Sequence, residues 1–379
     1  MTTGLADPAV GELPERFTAN RVRTYFWSDT ARRAQTVLGL LWLLDGGLQF
    51  QSFMYSRGFL QSLLAGASGE PAWLHASILW GVRVANGDLG LWNTLFAVTQ
   101  VLIGAGLLIR PLARPALLAS CGWALVVWWF GEAFGGLLAG MAQPLTGAPG
   151  GVLLYVLVGL LAWPGRPGGL LGIRGARTMW ATLWLVMAYL WLLPASSAHN
   201  ATRDALTSIP TGISGLNSIQ SSLADASAGH GLVVALVLAA VSAVIGVGVA
   251  AGWHARGLLT LAIMLNLVYW VIPQGLGGLF AGGATDPNAG PLFVLLAAVM
   301  VPLFPRVSSS ATATSSPPKS TGVTLPHPHV RRLGVLATGG LSAIALDACG
   351  SSARLVSQSS GSHRVREHPA QAPSRHDEL

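Results

Sequence analysis

Between residues 35 and 305 the chain alternates long apolar runs with short polar turns. The runs are long enough to cross a hydrocarbon core of about 30 Å as helices. The pattern predicts eight spans, near 35–54, 89–109, 112–131, 149–164, 178–195, 231–252, 257–273 and 290–304. Two longer connections interrupt it, at 56–87 and 195–229. The first contains "PAWLHASILWGVRVANGD", an amphipathic stretch suited to lying on the outer membrane surface. The second contains "SGLNSIQSSLADAS", polar enough for a short soluble helix.

The spans group into two sets of four, because one register holds with a period of 142 residues. Leu41-Trp42-Leu43 recurs as Leu183-Trp184-Leu185, Gly104 and Gly106 as Gly246 and Gly248, and Arg114 as Arg256. Trp128 recurs as Trp270, and Gly135-Gly136-Leu137 as Gly277-Gly278-Leu279. With an even number of spans per half, both halves enter the membrane from the same side and form a parallel repeat. The expected architecture is therefore an all-α polytopic membrane protein of two parallel four-helix repeats. Its segments are an N-terminal stretch 1–34, repeat one 35–164, a linker 165–177, repeat two 178–305 and a tail 306–379.

Composition agrees with this class. Hydrophobic residues make up 52% of the chain and charged residues only 10%, against roughly 25% charged in soluble domains. Arginines 16, 21, 23, 32 and 33 precede the first span, and arginines 110, 114, 166, 174, 177 and 256 occupy turns on the same side. The opposite loops hold Arg57, Arg83 and Arg203 beside Glu70, Asp88, Asp204, Asp225 and Asp286. That asymmetry places both ends of the eight-span body in the cytoplasm. The polar N-terminus makes the first span the expected targeting signal in place of a cleaved leader. Because the arginines are spread over short turns, the net charge of +7 reads as topology and not as a nucleic-acid surface.

The tail is different material. "SSSATATSSPPKSTGVTLPHPH" is a Ser/Thr/Pro segment expected to be disordered. It is followed by Arg331-Arg332, a short apolar stretch and Cys349, an arrangement open to lipidation, to a peripheral segment, or to neither. The terminal "HDEL" is read as coincidence.

Candidate chemistry is sparse. All nine histidines fall outside the predicted spans, which excludes a haem held between intramembrane histidines. Two distant cysteines give no disulfide framework, and no metal-binding or nucleotide-binding motif is present. What remains is a group of intramembrane polar residues confined to the first half: Asp45, Gln49, Asn93, Gln100 and Glu132. Asp45, Gln49 and Ser52 are spaced to share one face of the first span; Asn93, Gln100 and Gly104 share one face of the second. The second half has Met187, Ala235, Ser242 and Gln274 in place of Asp45, Asn93, Gln100 and Glu132. An ionised Asp at mid-helix costs about 2.5–3.5 kcal/mol even on the lenient insertion scale. Asp45 is therefore expected as a neutral acid bonded to Gln49, Asn93, Gln100 or an indole N–H, or reached by Arg57 or Arg83. It is either a pin between helices, a ligand or proton site, or an outer-interface residue without a role. Glu132, near the outer boundary, reads more simply as a wet carboxylate.

The segments "LLWLLDGGLQFQSFMYSRGF", "WNTLFAVTQVLIGAGLL" and "WWFGEAFGGLLAGMAQPLTGAPG" resemble DoxX-like bacterial, mainly actinobacterial, membrane proteins. The chain is similar to a tandem version of that four-helix fold over about 35–305, with Gln274 standing where the motif would carry a glutamate. The resemblance implies a plasma-membrane protein beside respiratory or sulfur redox chemistry, with a quinone as candidate ligand and a redox subunit or second copy as candidate partner. It assigns no catalytic residue. The leading expectation is a quinone-like or other small ligand held near Asp45, Gln49, Asn93, Gln100 and Glu132, in a protein that is not itself clearly an enzyme. The alternatives are a proton-coupled transporter or exporter, and a membrane scaffold or assembly factor.

Overall fold

Helix starts in this chain are set by local chemistry more than by the edges of the apolar runs. Asp29 accepts the Arg32 N–H at 2.9 Å and so caps a helix that begins ahead of the apolar stretch, while Asp88 accepts the Leu91 N–H at 2.9 Å and caps the next long one. In a computed structural model that describes residues 15–304, all regular structure is helical. In chain order the helices are α1 (Glu15–Trp27), α2 (Thr30–Leu48), α3 (Arg57–Gly66), α4 (Ala72–Gly87), α5 (Leu89–Leu108), α6 (Ala113–Phe130) and α7 (Gly151–Leu161). They continue as α8 (Gly172–Leu192), α9 (Pro194–Ser197), α10 (Ala201–Ser208), α11 (Ser214–Ser227), α12 (Gly231–Ala251), α13 (Ala255–Val271) and α14 (Ala289–Met300). The expectations for 306–379, Cys349 included, lie outside the described residues.

Among the described residues, three helical stretches are long and apolar enough to cross a membrane: Leu89–Leu108, Arg110–Phe130 and Gly231–Ala251. These support a helical membrane protein. Helices α2 and α8 have 19 and 21 residues but carry Arg32, Arg33 and Asp45, and Arg174 and Arg177, respectively. The stretch expected as a span at 149–164 is helical over only 11 residues, Gly151–Leu161. At about 1.5 Å per residue that covers roughly 16 Å. Gly150, at φ 115°, bars helix on one side, and the Trp163-Pro164 step ends it on the other. The stretch expected at 290–304 is likewise a short helix, α14, followed by one 3-10 turn.

The first predicted span also shifts. Helix α2 starts at Thr30, so Arg32 lies inside it, buried, and not in a preceding turn. Its guanidinium donates to Leu107 O at 2.8 Å, to Leu108 O, and to Gln35 Oε1 at 3.2 Å. It thereby satisfies the carbonyls that the C-terminus of α5 leaves open. Because α2 ends at Leu48, Ser52 falls in a 3-10 turn and is exposed; it does not continue the Asp45–Gln49 face.

Packing follows small residues. Helix α2 lies against α5, and α8 against α12. A Cβ on Gly104 would stand 2.8 Å from Gly39 O and 2.9 Å from Leu43 N, so only glycine permits this backbone approach. Helices α6 and α7 pair, as do α13 and α14, and α7 meets α14 in the middle of the body. Trp180, Trp184, Leu154 and Leu296 lie in the buried core that these helices share.

One turn is built twice. After α6, Phe134 and Gly135 take φ 56° and 65°; after α13, Leu276 and Gly277 take φ 56° and 72°. Gly135 N–H donates to Glu132 O and Gly277 N–H to Gln274 O, both at 2.7 Å. Trp128 Nε1 donates to Pro149 O at 2.9 Å and Trp270 Nε1 to Pro287 O at 2.8 Å. The polar connection between α8 and α12 contains the expected helix, α11, over Ser214–Ser227, and the amphipathic one contains α4.

Gly104→Ala should lower stability by about 1–3 kcal/mol, the usual cost of overpacking. Gly122→Ala, whose Cβ would meet nothing within 4 Å, should leave it unchanged. Thermal unfolding of the two variants in one detergent checks this.

Candidate functional site

Asp45 is 3% exposed and lies on the buried face of α2. Its Oδ2 accepts a hydrogen bond from the Tyr155 hydroxyl of α7, and its Oδ1 has no partner. The Tyr155 ring packs on Trp42, centroids 4.3 Å apart, and Trp42 Nε1 donates to Ser120 Oγ of α6 at 2.8 Å. This chain of contacts joins α6, α2 and α7. It corrects the expectation for Asp45: its partner is a phenol, not an amide or indole, and neither Arg57 nor Arg83 pairs with it. Among the described residues the one ion pair is Arg203–Asp225, exposed and 3.7 Å apart.

The positions that the 142-residue register pairs with Asp45 and Ser120 carry different side chains. Gln274 Oε1 accepts the Gly290 N–H at 3.0 Å where Glu132 Oε1 accepts the Val152 N–H at 3.2 Å. Counting three residues on from each acceptor's partner, Tyr155 matches Phe293. Phe293 packs on Trp184 (centroids 6.1 Å apart), as Tyr155 does on Trp42. Met187 replaces Asp45 and Ala262 replaces Ser120, and the Trp184 indole N–H is left without a partner. Acid, phenol and hydroxyl are therefore lost together.

Asp45 lines a cavity of about 410 Å³ bounded by α2, α3, α4, α5, α6, the first turn of α7 and the loop before α14. Its walls carry the rings of Trp42, Phe59, Trp80, Trp92, Phe96, Trp123 and Phe130. Its polar lining is Asp45, Gln49, Gln100, Glu132, Thr285 and Asp286. Four of the five residues singled out by sequence thus share one space. Asn93 does not line it: fully buried, it donates from Nδ2 to Gln49 O at 2.7 Å and ties α5 to the end of α2. Gln49 Nε2 reaches Thr285 O at 3.5 Å, and Gln51 Nε2 reaches Ala284 O at 2.9 Å. Gln100 is 6% exposed with Oε1 unpartnered.

Glu132 is not simply wet. Its Oε1 is held by the Val152 N–H, its Oε2 is buried without a partner, and Gly150 leaves it room; a Cβ there would stand 2.2 Å from Oε2. Burial, and then the nearby Asp286 carboxylate, push its pKa up to about 8. It also lines a second, more polar cavity of about 270 Å³ with Gln143, Thr146, Asp286 and Asn288. Asp286 had the look of an outer-loop acid. Its carboxylate is fixed by the Asn288 N–H and the Thr285 hydroxyl, both at 2.6 Å, and it reaches the wall of both cavities. Among the described residues no cluster of His, Cys, Asp and Glu has the makings of a metal site. No protein-family model, curated protein or solved structure matches this chain.

Tyr155→Phe should destabilise the fold by about 1–3 kcal/mol, because it strips a buried carboxyl of its donor. Adding Asp45→Met, which copies the Met187–Phe293 pair, should recover much of that loss. A double-mutant cycle read by thermal unfolding checks it; strict additivity would show that the two side chains are not coupled.

Proposed function

We propose that this chain is a multi-pass plasma-membrane protein, built as two parallel four-helix halves on a DoxX-like plan, which binds a small amphipathic ligand in the first half. The observation that carries the ligand reading is the cavity of about 410 Å³, with aromatic walls and a polar end containing Asp45, Gln49, Gln100 and Glu132. Ligand sites are mostly apolar concavities of roughly 300–1,000 Å³ with a few convergent polar groups. The two-half reading is supported by the twice-built turn and by the matched pairs Trp42–Tyr155 and Trp184–Phe293. The short helices α7 and α14 would complete their halves together with the turns that precede them. Both ends of the body on the cytoplasmic side is the orientation that the arginine distribution favours.

The DoxX-like resemblance makes a quinone-like molecule the first candidate ligand, beside respiratory or sulfur redox chemistry and a redox partner subunit. Its carbonyl oxygens need donors, which Asp45 and Glu132 supply only in their protonated forms. The second reading is a proton-coupled transporter or exporter. It is favoured by one observation: Asp286, from the second half, stands on the wall of the first half's cavity, so relative movement of the halves would change the site. A scaffold in which Asp45 only pins helices leaves the cavity without a purpose.

Short-chain quinone binding to the purified protein, followed by tryptophan quenching, should weaken at least tenfold in Asp45→Asn; equal affinity would remove the quinone-like candidate. For the transporter reading, flux in proteoliposomes should follow an imposed pH gradient, and indifference to the gradient would count against it.

A further inference from the structure

The larger cavity's lining restricts the charge of what it holds. Three carboxyl groups reach it from three separate segments: Asp45 on α2, Glu132 after α6, and Asp286 before α14. Among the described residues, no lysine, arginine or histidine lines it. Its buried, unpartnered atoms are Asp45 Oδ1, Gln100 Oε1 and Glu132 Oε2, whose carboxyl oxygens are acceptors once ionised, and the Trp123 indole N–H. Asp45 and Gln100 are themselves 3% and 6% exposed, so bulk water does not satisfy them. Aromatic rings, among them Trp42, Trp92 and Trp123, line the same cavity. The faces of such rings attract cations, and more strongly where water is excluded. Once either acid ionises, its carboxylate has no buried counter-ion and calls for the same partner.

We infer that the occupant is a lipophilic organic monocation, an amine or quaternary onium, whose charge lies between the aromatic rings and the carboxyl groups of Asp45 and Glu132. The inference rests on the ligand-cavity reading above and fixes the charge of the ligand's head, which a quinone-like candidate leaves neutral. Its apolar substituents fill the ring-lined part of the space. The cation then competes with protons. Glu132, raised to about 8 by burial and by Asp286, holds its proton at neutral pH in the empty site. Bound cation favours the ionised form, so affinity rises with pH toward 8 and levels off above it. Among the described residues, the ionisable groups facing Glu132 are Asp286 from the loop before α14, Asp45 from α2 and, behind Asp45, Tyr155 from α7. None is cationic, so none reverses the sign.

The test uses the full-length protein in detergent with tetraphenylphosphonium and its anionic counterpart of closely similar size and shape, tetraphenylborate, between pH 6 and 9, with a short-chain quinone as a third probe. The cation should bind at least tenfold tighter than the anion, and its affinity should climb with pH until about 8. Glu132→Gln should weaken it at least fivefold and flatten the pH profile. This variant keeps the backbone bond, as Gln274 does to Gly290 N–H in the second half. Asp45→Asn should weaken it as well. Equal or tighter binding of the anion, or quinone binding that excess cation does not displace, overturns the charge assignment and leaves the cavity reading standing. Cation binding unchanged in both variants places the site elsewhere and overturns the inference. Failure of all three probes to bind overturns the inference and the cavity reading together.

Discussion

Asp45 meets a phenol and no cation, and the first half is organised around that choice. A carboxyl group withdrawn from water needs a hydrogen-bond donor at fixed distance, or it carries an uncompensated desolvation cost. Tyr155 supplies the donor, and to do so α7 must sit against α2 at one register. Trp42 then fills the space beside the phenol and is itself fixed by Ser120 of α6. Polar groups that would weaken an apolar bundle if left alone become, in sequence, the contacts that set helix positions. Only one oxygen of Asp45 is used in this way. The other has no hydrogen-bond partner, and the residue that ties the helices also lines the cavity.

The comparison within the chain shows how this arrangement is separable from the scaffold. Trp184, Phe293 and Met187 occupy the second half's equivalent of the Trp42–Tyr155–Asp45 group with no hydrogen bond at all. The glycine turn, the tryptophan-to-proline-carbonyl bond and the carboxamide that replaces Glu132 are nevertheless kept. The turn is therefore built at both places. The acid, the phenol and the hydroxyl are not. The loop before α14 contributes instead: its Thr285 and Ala284 carbonyls accept from Gln49 and Gln51, and its Asp286 lines the same cavity.

Much of this was legible in the residues because it depends on composition over a long window. Helical class, the long apolar helices and the one-sided placement of polar groups follow from periodicity and from lining up residues 142 apart. Asn93 was placed in the right neighbourhood with the wrong task, since sequence spacing says which face a residue occupies but not whether a backbone carbonyl is waiting there. Tyr155 was missed because the second half's loop is shorter, so its counterpart Phe293 falls 138 residues away and not 142. Correcting the register at Pro149 and Pro287 would have exposed the paired change. Asp286 was missed for a different reason: a loop acid reads as solvated unless the fold turns the loop inward. The short α7 was hidden by apolar residues at 149–150 and 162–163, which look like helix to a hydrophobicity window and are barred from it by glycine and proline geometry.

Trp80, Val84 and Val126 line the cavity and are also exposed at 62%, 37% and 45%, so its rim opens through an apolar surface. Were that surface embedded in a bilayer, such a mouth would give onto acyl chains. An occupant would reach it by sideways diffusion within the leaflet, and occupancy would follow its mole fraction in lipid, not its aqueous concentration. Each tenfold of partitioning into the bilayer relieves the site of about 1.4 kcal/mol of intrinsic affinity. A modest set of contacts can then hold a strongly lipophilic molecule, with the membrane acting as the reservoir that keeps the cavity filled.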